Sequence, residues 1–299
     1  FSFFMTCKDT TNYLPIISLR HFDIFIIFVC QMDLINRKLY FLANTPYDTP
    51  EMIAVLVVVG FFVGLINTVA GMASIISYAL FMAMGMPINV ANGTTRLGVL
   101  LQYSAASIFF KRKGFLKMNL AIKISIPIAL GSFLGAELVT YLPQNIVEIT
   151  MGVMLPFIGA LLMLDNKKFR GDHSIDEIEK VNIWKWLIFL LIGIYGGFTH
   201  VGVGLLIIFG AFMFLGLDLV SANGIKQFAV AVYTPVTLVV FALNDEIIWP
   251  VAIIFAIGNV IGGVVGSAVS VKWGGKFIKW FVLIVSIIMA FWLIGKQFS

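Results

Sequence analysis

Two basic residues stand inside otherwise apolar stretches of the chain and are well suited to bind a charged solute. Arg96 and Lys226 each follow an Asn-Gly pair at the predicted start of an apolar segment. An ionisable side chain inside a membrane helix is costly and by default marks a functional site. A guanidinium can donate two parallel hydrogen bonds to an oxyanion, and an ammonium adds a compact positive charge. The pair therefore predicts a binding site for a small anion.

Polar groups close in sequence to these cations could complete the site. The hydroxyl and amide candidates are Thr94, Thr95, Asn92 and Asn223, and weaker candidates are Gln102, Tyr103 and Gln227. A helix start at each Asn-Gly pair would add free N–H groups and positive potential. The alternative is that each long basic side chain extends along the apolar surface to water and has no binding role.

Asn67 and His200 are two further candidates, predicted to occupy equivalent positions, each at the end of an earlier apolar segment. Both could donate a hydrogen bond to an anion. His200 could also carry a coupling proton, because the pKa of a histidine lies near neutrality. The alternatives stay open: a helix-end cap for Asn67, and a hydrogen-bonded packing residue for His200.

The sequence contains no motif of an enzyme. It lacks His-Glu-x-x-His, a phosphate-binding loop and Gly-x-Ser-x-Gly. Histidines occur only at 21, 173 and 200, which is not a metal-ligand spacing. We therefore expect neither catalysis nor a cofactor.

The composition assigns the chain to the membrane. It is 60% hydrophobic and 12% charged, with a mean hydropathy of +1.01. A soluble chain of 299 residues could not bury that much apolar surface. The apolar runs are continuous, which favours α-helices over a transmembrane barrel. The net charge of +5 lies mostly in loops, where it orients the chain in a bilayer and does not indicate nucleic acid.

Two halves of the chain repeat each other. Residues 79–93 read ALFMAMGMPINVANG and residues 210–224 read GAFMFLGLDLVSANG, an offset of 131. Gly131 and Gly135 match Gly262 and Gly266 at the same offset, whereas glycines further upstream match at an offset of 133. A membrane chain built of two related halves is typical of a secondary transporter.

Each half contains five apolar segments. They lie at about 52–69, 73–86, 93–110, 118–140 and 146–164, and at about 183–200, 203–217, 223–243, 247–270 and 277–295. The second segment of each half is too short to span a bilayer and follows a glycine-containing break. It is predicted to be a half-helix or one arm of a re-entrant hairpin, beside protein or a water-filled cavity.

Loop charges predict opposite orientations for the two halves. The loop at 111–117 is basic, while its counterpart at 244–246 carries no positive charge. The turn at 141–145 is uncharged, while its counterpart at 272–276 is basic. Positive loops face the cytoplasm, so the pattern predicts an inverted-topology repeat. The domain scheme is an N-terminal extension at 1–50, membrane repeats at 51–164 and 183–299, and a cytoplasmic loop at 165–182. The extension is expected to be an interfacial segment or to result from a start assigned too early.

The stretch from Gly60 to Leu97 resembles the sulfite exporter TauE/SafE family of membrane permeases. GFFVGLINTVAG followed by MGMPINVANGTTRL reproduces the order of that family's motifs, and the second half resembles the family's second repeat through its glycines. The resemblance covers about 245 residues, from roughly Met52 to Gly295. The departures are Met72-Ala73-Ser74 in place of glycines, Ser77-Tyr78 where a proline is expected, and His200 at a position expected to be small.

The resemblance implies a permease that moves a small anion, such as sulfite or an organosulfonate, across a prokaryotic cytoplasmic membrane by alternating access. An anion channel, or an anion-binding membrane sensor or assembly subunit that moves nothing, remain the alternatives. A coupling proton or sodium ion and a homodimer are open expectations.

Overall fold

The computed structural model describes residues 46–143, 146 and 182–297. Every helix described here belongs to the unit Tyr47–Ser299. The helices are α1 Pro50–Ala70, α2 Ser74–Ala83, α3 Ile88–Arg112, α4 Met118–Tyr141, α5 Ile183–Phe198, α6 Val203–Leu215, α7 Leu219–Leu243 and α8 Trp249–Gln297. The predicted fifth segment, the predicted cytoplasmic loop and the N-terminal extension lie almost entirely outside the described residues.

The described part of the chain is helical and contains no strand, which confirms the all-α membrane class. Four helices are long and apolar enough to cross a bilayer: α1, α4, α7 and residues Trp249–Phe281 of α8. Large apolar side chains remain exposed along these helices, for example Phe62, Leu130 and Ile261. Such a surface is suited to lipid rather than to water.

The short second segments are confirmed. Helix α2 has 10 residues and α6 has 13, both below the length of about 17 that a span requires. Gly71 ends α1 in the left-handed conformation, and Gly202 precedes α6 in the same conformation. These two residues interrupt the chain between the first and second helices of each half.

The predicted starts of the third helices were wrong by about one turn. Helix α3 begins at Ile88 and α7 at Leu219, where the Asp218 carboxylate accepts hydrogen bonds from the N–H groups of residues 220 and 221. Gly93 and Gly224 therefore lie inside their helices. A Cβ at Gly93 would collide with the Glu246 carbonyl oxygen, so this glycine permits close packing and does not start a helix.

The gap predicted at 271–276 is narrower than expected. One residue, Gly274, departs from helical geometry inside α8, with φ of 71° and ψ of −171°. The two predicted segments around it are therefore two helices joined by a kink at Gly274, and α8 denotes both of them together.

Glycines bring helices from opposite halves into backbone contact. A Cβ at Gly131 or Gly135 of α4 would collide with backbone oxygens of Leu190 and Ile194 in α5. The equivalent glycines of α8, at 262 and 266, meet the backbone of α1 at 61 and 65 in the same way. Helices approach this closely only where small residues line the contact. Gly131 and Gly135 thus permit the close approach of α4 to α5.

These contacts fix which positions of the two halves correspond. Gly131 of α4 and Gly262 of α8 are equivalent, because they are 131 residues apart (262 − 131). Gly131 contacts Leu190 of α5, and Gly262 contacts Phe61 of α1. Leu190 and Phe61 are therefore equivalent too, which gives an offset of 129 between α1 and α5 (190 − 61). The offset between α3 and α7 is also 131, and we call two residues related by these offsets mirror positions. Asn67 then corresponds to Gly196. His200 lies beyond the end of α5 while Asn67 lies within α1, so the two are not equivalent.

The breaks of the two halves meet each other. A Cβ added at Gly71 would lie 2.7 Å from the carbonyl carbon of Gly204, and one added at Gly204 would lie 2.8 Å from Gly71 Cα. Helices α3 and α7 also contact each other across the same centre. The ends of α1 and α5 and the starts of α2 and α6 thus come together where the halves join.

The inverted orientation stays a prediction, and single cysteines test it. Lys113→Cys and Asp245→Cys place thiols at exposed positions of the loops after α3 and α7. With Cys7 and Cys30 replaced by serine, an impermeant maleimide added to intact cells should label Asp245→Cys and spare Lys113→Cys, since the basic loop faces the cytoplasm. Lys272→Cys, also exposed, is the matched control and should behave like Lys113→Cys. Equal labelling from outside would contradict the inverted repeat.

Candidate functional site

Arg96 lies fully buried on α3 and reaches into the other half of the protein. Its Nη1 donates to the Gly196 carbonyl oxygen at 3.0 Å, and its Nη2 donates to the Gly197 carbonyl oxygen at 2.9 Å. Nε and Nη2 also donate to Asn92 Oδ1, at 3.2 and 2.9 Å. The guanidinium carbon lies 5.1 Å from the centroid of the Phe241 ring.

Lys226 makes the corresponding contact from α7. It is fully buried, and its Nζ donates to the carbonyl oxygens of Asn67 at 2.9 Å and Thr68 at 2.7 Å. The Nζ lies 5.6 Å from the centroid of the Tyr103 ring, within the range of a cation–π contact. Neither cation extends to the surface, which rules out the alternative in which both side chains reach water.

Both cations bind the carboxyl end of a helix from the opposite half. The carbonyls of Asn67 and Thr68 belong to the last turn of α1, and those of Gly196 and Gly197 to the last turn of α5. The last four carbonyls of a helix have no partner within it and carry the negative end of its dipole. We expected the starts of α3 and α7 to lie at the cations; the structure places the ends of α1 and α5 there.

Gln227 occupies the mirror position of Arg96, since 96 + 131 = 227. Its Nε2 donates to Thr68 O at 2.9 Å and to Asn223 Oδ1 at 3.0 Å. Arg96 bonds Gly197 O and Asn92 Oδ1, which are the mirror positions of those two acceptors. The same framework therefore holds a cation in one half and a neutral amide in the other.

Asn92 connects the first cation to surrounding elements. Its Oδ1 accepts from the Tyr78 hydroxyl at 2.6 Å as well as from Arg96, and its Nδ2 donates to Phe198 O at 2.9 Å. Asn223 is equally buried, but its Nδ2 has no hydrogen-bond partner. The Asn223 amide therefore has an unpaired hydrogen-bond donor, whereas both the oxygen and the nitrogen of the Asn92 amide have partners.

Three predicted candidates have structural partners. The Asn67 side chain accepts from Ala73 N at 2.8 Å and donates to Ser74 Oγ at 3.0 Å, so it fixes the break between α1 and α2. Thr95 donates to the Asn92 carbonyl within its own helix. Thr94 accepts from Ile248 N at 3.1 Å and so contacts the segment before α8.

His200 lies in the segment between α5 and α6 and is 1% exposed. Its Nδ1 lies 2.8 Å from the Tyr233 hydroxyl, and its backbone N–H donates to the Tyr78 hydroxyl at 3.4 Å. The ring packs edge-on against Tyr103, with 5.7 Å between the ring centroids. Tyr103 thus contacts both His200 and Lys226, which places the histidine one aromatic ring away from the second cation.

Sequence analysis missed Tyr78 and Tyr233 as members of this cluster, because an aromatic side chain in an apolar run is not distinguishable from a core residue. It also missed the helix-end carbonyls, which carry no side-chain signal. The weaker candidates Gln102 and Gln227 proved fully buried and bonded to Thr68.

Lys226→Gln is expected to weaken anion binding with only a modest loss of stability. The carbonyl of Asn67 keeps the Tyr103 hydroxyl at 3.3 Å, and that of Thr68 keeps Gln227. Each helix-end acceptor therefore retains one donor, and a glutamine at 226 could supply another. The midpoint of thermal unfolding and calorimetric anion affinity, measured on one preparation, separate the effects. A large fall in the midpoint with unchanged affinity would assign Lys226 a structural role only.

The chain is similar to known proteins over most of its length. The sequence model of the family described as sulfite exporter TauE/SafE matches residues 56–293, well over half of the chain. "Probable membrane transporter protein ORF9" of Sinorhizobium sp is 27% identical over 249 residues, covering 82% of this chain and 93% of that protein. A "Probable membrane transporter protein" of Haemophilus influenzae is 27% identical over 251 residues, covering 83% and 96%.

A third relative, "Probable membrane transporter protein YfcA" of Escherichia coli K12, is 25% identical over 252 residues, covering 81% of this chain and 89% of that protein. No solved structure matches the chain.

Proposed function

The chain belongs to the sulfite exporter TauE/SafE family of membrane transporters, and we propose that it is a permease for a small anion, with sulfite and organosulfonates as the candidate substrates. The observation that carries the proposal is the pair of fully buried cations, Arg96 and Lys226. Among the described residues no aspartate or glutamate is fully buried, although Oε2 of the partly buried Glu246 is enclosed in the segment before α8. Charges inside a membrane protein require compensation, so an anion is the missing partner.

The charge balance at the centre favours a monovalent anion or a small divalent one. A helix carboxyl end carries roughly −0.5 of an elementary charge. The ends of α1 and α5 therefore neutralise about half of the charge of Lys226 and Arg96. A net charge of roughly +1 remains in a region without water-exposed groups, which favours an anion and disfavours a cation.

The short helices supply further donors to the proposed site. The first N–H groups of a helix have no partner within it and attract anions. Helices α2 and α6 begin at Ser74 and Val203, next to the Gly71–Gly204 contact. A Cβ at Gly204 would lie 3.1 Å from Lys226 Cδ, so the start of α6 adjoins the second cation. The proposed site thus uses the starts of α2 and α6 in place of those of α3 and α7.

The proposed mechanism is alternating access, in which the anion competes with the helix ends for the two cations. Arg96 in the first half holds α5 of the second, and Lys226 in the second half holds α1 of the first. An oxyanion that takes over these donors frees both helix ends. The halves can then move relative to each other around the bound ion. His200, one aromatic ring from Lys226, is the candidate for a coupling proton; a sodium ion is the alternative.

Purified protein in liposomes tests the function. Counterflow of sulfite, thiosulfate, sulfate, taurine and sulfoacetate should show saturable uptake of at least one anion and none of choline as a cationic control. Uptake that saturates with anion concentration and depends steeply on temperature indicates a carrier. Uptake that does not saturate and depends weakly on temperature indicates the alternative, an anion channel. Binding without uptake of any of the five would identify a sensor or assembly subunit and contradict the permease.

The relatives support a proposal for the cellular location. They are bacterial proteins named as membrane transporters, so we propose a multi-pass location in a prokaryotic cytoplasmic membrane. A homodimer remains an expectation, which the mass of the protein in detergent would test.

A further inference from the structure

A second group of buried amides lies between α1, α3 and the first part of α8. Asn259 of α8 is 1% exposed, and neither its Nδ2 nor its Oδ1 has a hydrogen-bond partner. Gln102 of α3 is fully buried; its Nε2 donates to Gly64 O at 3.1 Å and Thr68 Oγ1 at 3.0 Å, but its Oε1 has no partner. Unpaired buried amides are costly, and they are uncommon in native proteins.

The two amides adjoin each other. Gly98 lies one turn before Gln102 on α3, and a Cβ there would collide with Asn259 Nδ2. Gly263 lies one turn after Asn259 on α8, and a Cβ there would lie 2.6 Å from Gln102 Cγ. Asn259 and Gln102 therefore lie about one helical turn apart along the contact between α3 and α8. Their side chains fit there because Gly98 and Gly263 have no side chain.

The mirror positions show that packing does not require these amides. Asn259 corresponds to Ile128 (259 − 131), which is fully buried against α5 and needs no hydrogen bond. Gln102 corresponds to Tyr233 (102 + 131), whose hydroxyl is paired with His200. The same fold thus accommodates an apolar residue or a saturated one. The unpaired atoms of Asn259 and Gln102 point to a ligand.

The surroundings favour an anion over a cation as that ligand. Thr68 bonds Gln102 through its hydroxyl and accepts from Lys226 at 2.7 Å through its carbonyl. The amides therefore lie next to a cation. Among the described residues no aspartate or glutamate is fully buried, and Glu246, whose Oε2 is enclosed without a hydrogen-bond partner, lies before α8 and not on the helices that carry the amides. Asn259 Nδ2 can donate to an oxyanion oxygen. The free Oδ1 and Oε1 atoms can accept the proton of a monoprotonated oxyanion or of its bound water.

We propose that Asn259 and Gln102 form a second, uncharged subsite through which the anion passes on its way to or from Lys226. This inference rests on the proposed permease function. A buried pair of cations holds an anion tightly, and transport also requires release. An adjacent site that offers only neutral hydrogen bonds provides a weaker position, as multi-site conduction requires. The equivalent helix contact of the other half, which has Ile128 at the mirror position of Asn259, lacks such a position.

Cysteine reactivity tests the subsite without knowledge of the natural substrate. Asn259→Cys and the matched control Ile128→Cys are compared in full-length protein with Cys7 and Cys30 replaced by serine, reconstituted in liposomes. Each is treated with the anionic sulfonatoethyl and the cationic trimethylammonioethyl methanethiosulfonate, with rates normalised to those of a free thiol. Asn259→Cys should react roughly tenfold or more faster with the anionic reagent, because the neighbouring positive charge concentrates anions. Ile128→Cys should react slowly with both.

Each outcome supports or overturns the subsite. Equal rates for the two variants would overturn it, and so would a preference of Asn259→Cys for the cationic reagent, which would indicate a cation site instead. If Asn259→Cys does not yield monodisperse protein, Gln102→Cys probes the other amide with the same expectation. Counterflow by protein that keeps Asn259 and Gln102, measured in matched liposomes, separates the two proposals. Anion-selective labelling without any transport would support the subsite and contradict the permease. Transport with unreactive thiols would support the permease and contradict the subsite.

Discussion

Arg96→Gln is expected to raise the apparent Kd for the transported anion by about tenfold or more and to leave the protein folded. A charge-assisted hydrogen bond contributes roughly 1.5–3 kcal/mol, which a neutral amide recovers only in part. Folding should survive because Gln227 already occupies the mirror position and donates to Thr68 O and Asn223 Oδ1. A glutamine at 96 has the equivalent acceptors, Gly197 O and Asn92 Oδ1. Calorimetry on monodisperse protein is the measurement.

Two further variants isolate the cause of the effect. Arg112→Gln removes the same charge from an exposed position at the end of α3 and should leave the affinity unchanged. Arg96→Lys should recover only part of the loss, since an ammonium cannot reproduce the planar fork that binds Gly196 O and Gly197 O together. Wild-type affinity in Arg96→Gln would contradict the proposed site and assign Arg96 to the support of α5 alone.

The class of fold and the location of the cations could be predicted from sequence for physical reasons. Apolar runs of span length leave few alternatives to membrane helices, and a cation inside such a run must find a partner. The short helices α2 and α6 were equally visible, since their glycine breaks and length are both encoded locally. Arg96 and Lys226 are buried as those arguments required.

The direction in which the cations point could not be predicted. Their partners are carbonyl groups of Asn67, Thr68, Gly196 and Gly197, and a carbonyl is present at every residue. Tertiary packing alone decides which carbonyls meet a given side chain. The helix starts predicted from the Asn-Gly pairs were wrong for a related reason. Gly93 resembles a helix breaker in sequence, but its missing side chain serves the close approach of Glu246 O.

The offset between the halves shows the same limit. Matching glycines of α1 and α5 by sequence gave 133, whereas the helix contacts give 129, a difference of about one turn. Repeated small residues along a helix recur every four positions, so one-turn shifts preserve the sequence match. Only the contacts of Gly131 and Gly262 with the opposite helices distinguish the two registers.

Gly71→Ala is expected to abolish transport, because this residue combines a strained backbone with the contact between the two breaks. Its φ of 78° is unfavourable for alanine by roughly 1–2 kcal/mol. In addition, the new Cβ would lie 2.7 Å from the backbone of Gly204, where neither chain segment can yield as a flexible side chain could. The expected result is loss of counterflow with protein that still inserts, together with a lowered midpoint of thermal unfolding.

Two glycines separate these contributions. Gly85→Ala has the backbone strain alone, since its φ is 86° and nothing lies within 4 Å of the added Cβ. It should lower the unfolding midpoint by a few degrees and leave counterflow intact. Gly204→Ala lacks the backbone strain, because this residue is helical; its added Cβ would lie 2.8 Å from Gly71 Cα and 3.1 Å from Lys226 Cδ. If the meeting of the breaks positions Lys226 and the start of α6, Gly204→Ala should lose transport as Gly71→Ala does. Full transport in Gly204→Ala would show that the breaks can separate without harm, and the site would then have to lie elsewhere.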